Sequence, residues 1–274
     1  MVIADEAHGV ASQTAMRILE SMHNAYYRIG FSATMTGRSD MRDGHIISNF
    51  GRIIHQRSDT EIEELGKIAT AEIRIHRVNQ PGIPGYADGG YTMGISRSQS
   101  RNHAVARIWQ KAAKPCLTYV REIEHGRVLL DMAEKMGYKA TFIHGEIPEV
   151  ERRAALAQME AHGTDILIGS DALRQGVDMV HIRELINAAG GKSLISTVQR
   201  KGRGGRICHK ERCAVCDRYG KKTSLIVHDF YDTANVDADL LIPGLTTQKK
   251  HWLEEHSKKR MKTYQERGYS LAYT

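Results

Sequence analysis

The strongest constraint on the fold of this chain is the alternation of short apolar strands with helical patterns along most of its length. A predicted strand from Met1 to Ala4 precedes a helix from about Ser12 to His23, and a strand from Arg28 to Ser32 follows. Further strands are predicted at 52–55, 71–78, 116–120, 140–143, 165–169, 184–187 and 224–227, and further helices at 101–113, 123–136, after 193 and at 248–267. Such alternation is typical of parallel β-sheets with helices on both faces. The sequence therefore predicts an α/β fold.

A proline- and glycine-rich segment divides the chain. The stretch NQPGIPGYADGG, residues 79–90, has the composition of a linker. We therefore predict a first domain at 1–78, a linker at 79–100, a second domain at 101–245 with a cysteine-rich insertion at 207–222, and a basic helical tail at 246–274.

The composition favours an ordinary globular protein with a basic surface. The 274 residues are 41% hydrophobic and 26% charged, with a formal net charge of +7 and a pI near 9.2. Such a charge suits a phosphate-rich partner, although a basic protein without such a partner has the same composition. Because the sequence contains neither a signal-peptide pattern nor an apolar run of membrane length, we expect a cytoplasmic protein with no membrane partner.

Two adjacent carboxylates follow the first predicted strand. Asp5 and Glu6 come directly after VIA, and open α/β sheets bind ligands beyond the carboxyl ends of their strands. In phosphoryl transfer one carboxylate can hold Mg²⁺ while its neighbour orients the attacking water. An Asp-Glu pair on a solvated surface is the alternative interpretation.

Five stretches in order resemble the motifs of superfamily 2 helicases of the DEAD/DEAH-box kind. VIADEAH at 2–8 and FSAT at 31–34 are similar to motifs II and III, and IHGEIPEVERR at 143–153 resembles the family's strand, His-Gly turn and helix. DILIGSDALRQGVDM at 165–179 resembles motif V, and QRKGRGGR at 199–206 resembles motif VI. The resemblance extends from residue 2 to about 232 and points most closely to phage and bacterial DNA helicases that remodel branched or duplex DNA.

This resemblance implies RecA-like parallel sheets flanked by helices, with the last part of a first RecA-like domain followed by a complete second one. It implies that Asp5 binds the Mg²⁺ of ATP and that Glu6 polarises the hydrolytic water. It implies further roles at the nucleotide for His8, Gly176, Asp178 and Gln199, charge neutralisation by Arg203 and Arg206, and coupling to the nucleic acid by His8 and the turn Ser32, Ala33 and Thr34. The implied activity is ATP-dependent unwinding or remodelling of DNA in repair or recombination, with RNA left open as the substrate.

A phosphate loop of the form G-x-x-x-x-G-K-[ST] does not occur in the printed sequence. Gly191, Lys192 and Ser193 form its only Gly-Lys-Ser, but Ile186 occupies the position of the first glycine, so we reject this segment as an ATP loop. We expect either a gene truncated at its 5′ end or a split enzyme whose N-terminal half is a separate polypeptide. The chain alone should then lack DNA-stimulated ATPase activity, and a non-catalytic, nucleic-acid-binding half of a helicase is the alternative function.

Three of the four cysteines crowd together after the motif VI match. Cys213 and Cys216 have the spacing of a zinc knuckle, and Cys208 could be a third ligand. A flexible insertion with free thiols is the other interpretation, and a zinc-stabilised interaction module is the weakest of the functional hypotheses. Cys116 lies in a predicted central strand and is expected in the core.

The C-terminal helical pattern is rich in basic residues, namely Lys249, Lys250, Lys258, Lys259, Arg260 and Lys262. Such a run forms either a solvated helix face or a surface that follows phosphates.

Overall fold

The computed structural model describes residues 1–32, 43–80, 90–161, 163–170, 173, 179–191, 205–208, 216–217, 220–233 and 251–274. The chain forms two compact units. The first covers Met1–Ser58 and the second begins at Asp59. Among the residues so described, no helix is long and apolar enough to cross a membrane.

The first unit is built on two short parallel strands, β1 (Val2–Ala4) and β2 (Arg28–Gly30). A 3-10 helix at Ala7–Ala11 and the helices α1 (Gln13–Ser21) and α2 (Asp43–Phe50) accompany them. The predicted helix near residues 12–23 is confirmed, and Ser12 caps it by accepting a hydrogen bond from the amide of Ala15.

The strand predicted at 52–55 is wrong, because residues 51–58 contain neither strand nor helix. Two adjacent apolar residues, Ile53 and Ile54, suggested that strand. In the structure the side chain of Ile54 is 88% exposed, so these residues are not part of a core.

The second unit contains a seven-stranded sheet in the order β5-β6-β4-β7-β8-β3-β9, with every pair parallel. The strands are β3 (Thr70–Asn79), β4 (Cys116–Tyr119), β5 (Ala140–Ile143), β6 (Ile166–Gly169), β7 (Glu184–Asn187), β8 (Ser224–Thr233) and β9 (Leu271–Tyr273). The helices are α3 (Asp59–Glu64), α4 (Gln99–Lys111), α5 (Ile123–Lys135), α6 (Glu149–Glu160) and α7 (Trp252–Glu266), with a short π-helix at Thr92–Ser96. The predicted α/β class is confirmed.

Successive strand residues alternate between two apolar cores, as the two-residue period of a strand requires. Leu117 on β4 belongs to the core that contains Met159 of α6 and Met261 of α7. Its neighbour Cys116 belongs to the other core, with Trp109 of α4 and Leu129 of α5. Both faces of the sheet are therefore covered by helices, and Cys116 is a core residue as predicted.

Two segments differ from the predicted division of the chain. Residues 71–78, predicted to belong to the first domain, form most of β3, which pairs with β8 over ten residues in the second unit. The segment predicted as a tail provides α7, which contacts β8, and β9, which pairs with β3. Strand patterning identifies such elements but does not specify the sheet that they join.

Candidate functional site

The adjacent carboxylates lie where β1 ends. Ala4 is the register partner of Gly30, so β1 and β2 end at the same edge of their sheet. Asp5 follows Ala4, and its Oδ1 accepts a hydrogen bond from the amide of Glu6 at 2.9 Å. Both side chains are exposed, and carboxylate oxygens are the ligands that Mg²⁺ prefers. The donor chemistry at this edge therefore fits a magnesium ion shared with phosphates.

Glu6 has a backbone conformation that favours glycine. Its φ of 51° lies in the left-handed region, and it is the residue before the 3-10 helix at Ala7–Ala11. A side chain in this conformation costs about 1 kcal/mol. Strain of this kind persists where the surrounding structure over-determines it, and such sites are often functional.

Hydrogen bonds connect the turn after β1 to the end of β2. The amide of Phe31 donates to the carbonyl of Ala4 at 2.8 Å, and the amide of Ala7 donates to the carbonyl of Phe31 at 2.9 Å. His8 Nδ1 lies 2.9 Å from Ser32 Oγ. The structure thus brings together His8 and Ser32, two of the residues predicted to act in coupling.

The same ring nitrogen of His8 also faces Glu6, at 3.3 Å from its Oε2. A lone pair on Nδ1 would repel an ionised carboxylate at this distance. The tautomer with a proton on Nδ1 is therefore favoured, since it can donate to either oxygen. His8 therefore links the side chain of Glu6 to that of Ser32, which follows the end of β2.

Several predicted site residues lie outside the described residues, namely Ala33, Thr34, Gly176, Asp178, Gln199, Arg203 and Cys213. Arg206 is described, and it is exposed on the second unit. Its backbone forms an antiparallel bridge with Ile68, and the amide of Ala69 donates to the carbonyl of Gly205 at 2.7 Å. Arg206 therefore lies at the amino end of β3.

The zinc hypothesis stays a prediction. Cys208 is buried and Cys216 is half-buried. In the part of the chain that the structure describes, no group of three or more His, Cys, Asp or Glu side chains could hold a metal ion. Because the knuckle residue Cys213 lies outside that part, the predicted ligand set is not tested.

Sequence reasoning missed a buried ionic network at the carboxyl ends of β7 and β8. Arg101 of α4 donates from Nη1 to both oxygens of Asp232 at 2.5 Å. Arg260 of α7 donates from Nε to the two oxygens of Asp229 at 3.1 and 3.2 Å. All four side chains are at most 1% exposed. The signal was Asp229 and Asp232 within the apolar strand SLIVHDFYDT, because buried carboxylates require cationic or hydrogen-bonding partners.

The carboxylate of Asp229 is fully satisfied by groups from three elements. Besides Arg260, its oxygens accept bonds from Asn187 Nδ2 and the Tyr264 hydroxyl at 3.0 Å each, and from the Phe230 amide at 2.6 Å. Burial opposes the charge of Arg260, but Asp229 and Asp232 outweigh this effect and raise the pKa of the guanidinium. Arg260 therefore remains ionised inside the unit.

Histidines form two further buried polar groups in the second unit. His125 Nε2 lies 3.0 Å from Asn102 Oδ1, and burial, with the charge of Arg101, lowers its pKa to about 3. His228 bonds to Glu184 and to His76 at 2.8 Å each, and burial together with the neighbouring His228 lowers the pKa of His76 to about 4. Neutral imidazoles are therefore part of the folded state near neutral pH.

Comparisons with known proteins agree with this architecture. Residues 100–208 match the family model described as the helicase conserved C-terminal domain. The human probable ATP-dependent RNA helicase DDX23 is 30% identical over 112 residues, covering 41% of this chain and 14% of that protein. Putative helicase 22 of the Sulfolobus islandicus filamentous virus is 24% identical over 231 residues, covering 77% of this chain and 41% of that protein. The chain thus spans less than half the length of these curated relatives.

Solved helicases share the fold. S. cerevisiae Dbp5 bound to RNA and ADP BeF3 superposes with a TM-score of 0.60 at 14% identity, covering 99% of this chain and 58% of that chain. T4 UvsW superposes with a TM-score of 0.51 at 20% identity, covering 100% of this chain and 53% of that chain. At these identities the likeness shows the fold, which is that of RecA-like helicase domains. Residues 100–208 therefore combine this fold with a match to the helicase conserved C-terminal domain.

Proposed function

We propose that this chain is part of an ATP-dependent superfamily 2 helicase or translocase that unwinds or remodels duplex or branched DNA. The observation that carries the proposal is the convergence of Asp5, Glu6, His8 and Ser32 at the carboxyl ends of β1 and β2. The match of residues 100–208 to a helicase C-terminal domain supports it independently.

In this proposal the first unit supplies the hydrolytic carboxylates. Asp5 holds the Mg²⁺ that accompanies ATP, and Glu6 orients and polarises the attacking water. Bound magnesium supplies charge neutralisation at the phosphates. The contacts of His8 with Glu6 and Ser32 connect the water-orienting carboxylate to the segment predicted to respond to nucleic acid.

The resemblance assigns further residues of the chain to the nucleotide. By resemblance, Gly176 and Asp178 approach the nucleotide, Gln199 contacts the triphosphate, and Arg203 and Arg206 neutralise developing charge. Arginine suits this role because its planar guanidinium binds phosphate oxygens in a bidentate way.

DNA is the proposed nucleic acid and the cytoplasm the proposed location. The net charge of +7 favours a polyanionic partner of either kind. The motif resemblance favours phage and bacterial DNA helicases of repair or recombination, whereas relatives such as human DDX23 are RNA helicases by name. Binding measurements on single-stranded DNA, branched DNA and RNA of equal length separate the two. Tighter binding to RNA than to either DNA would overturn the DNA assignment.

A second candidate is a nucleic-acid-binding half of a helicase that completes its site with a separate chain. The exposed apolar side chains of the first unit favour it, among them Ile3, Tyr26 and Ile29. Apolar surface of this kind marks interaction sites. A phosphate loop for the complete site would come from the partner, because the printed sequence has no G-x-x-x-x-G-K-[ST].

ATP hydrolysis with and without DNA tests both candidates. We expect no DNA-stimulated hydrolysis by residues 1–274 alone, and hydrolysis once a polypeptide with the phosphate loop is joined or added. The nucleotide sequence upstream of codon 1 shows whether such a loop is encoded in frame or in a separate frame. Normal turnover by residues 1–274 alone would contradict the expectation.

The role of Glu6 is tested in the hydrolysing form. Glu6→Gln should lower the ATPase rate at least about a hundredfold, because the amide cannot accept a proton from water. Glu20→Gln is the matched control, since Glu20 is exposed on α1 of the same unit. Equal rates for the two variants would remove Glu6 from the proposed mechanism.

A further inference from the structure

Helix α7 lies beyond the residues that match the helicase C-terminal domain, yet one of its side chains reaches into that domain. Arg260 is 1% exposed. Besides its bonds to Asp229, it donates from Nη2 to the carbonyl of Phe230 at 2.6 Å and from Nη1 to the carbonyl of Gly191 at 2.5 Å. The guanidinium therefore joins α7 both to β8 and to the turn that follows β7.

That turn, residues 188–191, accepts hydrogen bonds from three separate elements. The Tyr91 hydroxyl donates to the carbonyl of Ala189 at 2.6 Å, and Arg101 Nη2 donates to the carbonyl of Ala188 at 3.4 Å. Arg260 provides the third bond, to Gly191. Since the donors come from the segment before α4, from α4 and from α7, the position of the turn depends on all three.

The backbone of the turn requires glycine. Gly190 and Gly191 have φ values of 58° and 87°, a region that side chains disfavour. A Cβ on Gly190 would also lie 3.1 Å from Ile95 Cδ1. Two features thus hold the carbonyls of this turn in one orientation. The glycines fix the left-handed backbone, and the buried side chains donate hydrogen bonds to the carbonyl oxygens.

The chain that leaves this turn leads to the motif VI match. Residue 191 ends one described segment, and the next begins at Gly205, whose carbonyl accepts the amide of Ala69 at 2.7 Å and which precedes Arg206. The described contacts therefore fix the chain immediately before and near the end of the segment that contains the predicted phosphate-facing residues. Arg260 is the contribution of α7 to the first of these two anchors.

We propose that Arg260 is a positioning residue: by donating to the carbonyl of Gly191 it holds the turn at 188–191, which precedes the motif VI match in sequence, so that α7 is a functional part of the second unit and not a solvated tail. The consequence for catalysis rests on the proposed ATPase function. The consequence for the turn does not, and can be measured on the chain by itself.

Amide hydrogen exchange of the 274-residue chain tests the structural part, with Arg260→Lys, Arg260→Gln and the control Lys259→Gln. Lysine keeps the charge beside Asp229 but cannot donate to Asp229, Phe230 and Gly191 at once. Lys259 is exposed on the same helix, so its variant removes one charge without touching the turn. We expect exchange at residues 188–191 to accelerate about tenfold in Arg260→Lys and more in Arg260→Gln. In Arg260→Lys, which keeps the charge beside Asp229, residues 116–119 of β4 should change less than about twofold, as should all sites in the control.

Two results would overturn the proposal. One is unchanged exchange at residues 188–191 in folded Arg260→Lys. The other is equal acceleration at β4 and at the turn in Arg260→Lys, which indicates a general loss of stability. If neither Arg260 variant folds, amide exchange of the wild-type chain is measured at increasing denaturant concentrations instead. The amides of α7 and of residues 188–191 should then lose protection together, as one cooperative unit. Opening of α7 while the turn stays protected contradicts the proposal.

The catalytic consequence is measured in the ATP-hydrolysing form. Arg260→Lys should lower kcat with little change in the KM for ATP, because the residues that follow the turn in sequence are proposed to act on charge that develops during transfer. An unchanged kcat together with accelerated exchange at the turn would refute the catalytic role. If the wild type hydrolyses no ATP in any form, the proposed function fails, whereas the exchange result still stands for the turn.

Discussion

Both units of this protein combine parallel strands with helices, but the second unit has a much larger hydrophobic core. The second unit covers both faces of seven parallel strands, and its strands β4, β6 and β7 are buried throughout. The first unit has two strands of three residues each, and among its described residues Tyr26 and Ile54 are both 88% exposed. A two-stranded sheet is marginally stable in water.

The difference teaches that the candidate hydrolytic carboxylates do not lie in the part of the chain with the larger core. The candidate hydrolytic carboxylates and the strained Glu6 belong to the small unit, whereas the buried ion pairs belong to the large one. Strained functional groups need support from their surroundings. We therefore expect the first unit to open more easily than the second, as amide exchange of β1 against β4 would show.

The largest expected effect on stability comes from breaking the buried ion pair between Arg101 and Asp232. Its loss would make the second unit less stable and so reduce its difference from the first. Arg101→Ala should lower the free energy of unfolding by about 3–5 kcal/mol, because Asp232 is left charged and buried. Denaturation followed by tryptophan fluorescence reports on this unit, since both tryptophans, Trp109 and Trp252, lie in it. Arg107→Ala, an exposed position on the same helix, is the control and should cost less than about 0.5 kcal/mol. Similar costs for both variants would contradict the role of the network.

Acidification should weaken the second unit through its neutral histidines. The pKa of His125 is about 3 in the folded state and about 6.5 in the unfolded chain. Between these values the unfolded state binds more protons, so the free energy of unfolding falls as the pH is lowered, by up to about 1.4 kcal/mol per pH unit for this group.

His125→Gln should therefore reduce the pH dependence of unfolding between pH 6.5 and 4, measured by urea denaturation at several pH values. His103→Gln, at an exposed position of α4, should leave the dependence as in the wild type. An identical slope in all three proteins would show that His125 does not contribute.

Adding a methyl group at the tightly packed Gly126 of the second unit should lower the free energy of unfolding by about 1–3 kcal/mol. A Cβ on Gly126 of α5 would lie only 2.1 Å from Cζ of Phe142, a buried residue of β5. Gly126→Ala should lower the midpoint of urea unfolding. Gly145→Ala, where no heavy atom lies within 4 Å of the added Cβ, is the control, and a midpoint as low as that of Gly126→Ala would contradict this packing.

The smallest effect is a gain in the first unit. Glu6→Gly relieves the left-handed strain but adds freedom to the unfolded chain, so we expect a net stabilisation of about 0.5 kcal/mol. The measurement is amide exchange at β1 and β2, which should slow slightly. Glu6→Ala removes the same carboxylate and keeps the strain, so slower exchange in Glu6→Ala than in Glu6→Gly would disprove the role of strain.

The sequence predicted what depends on local pattern. Apolar strands alternating with helices specify a parallel α/β sheet, and the Asp-Glu pair at the end of the first strand lies where that rule expects it. The register of β3 beside β8 could not be predicted, because strand patterning does not identify the neighbour. The basic helical pattern of α7 suggested either a solvated face or a surface that follows phosphates, and only the partners on β8 reveal that Arg260 is buried.

The position of β3 has a consequence for how the second unit is made. Gln80 donates to Asp232 across 152 positions of sequence, and β3 also pairs with β9 at Leu271–Tyr273. During synthesis β3 leaves the ribosome before β8 and β9, so the sheet cannot close until residue 273 has emerged. Non-local pairing of this kind slows folding. A ribosome-bound chain that stops before α7 should therefore keep β3 exposed to chaperones.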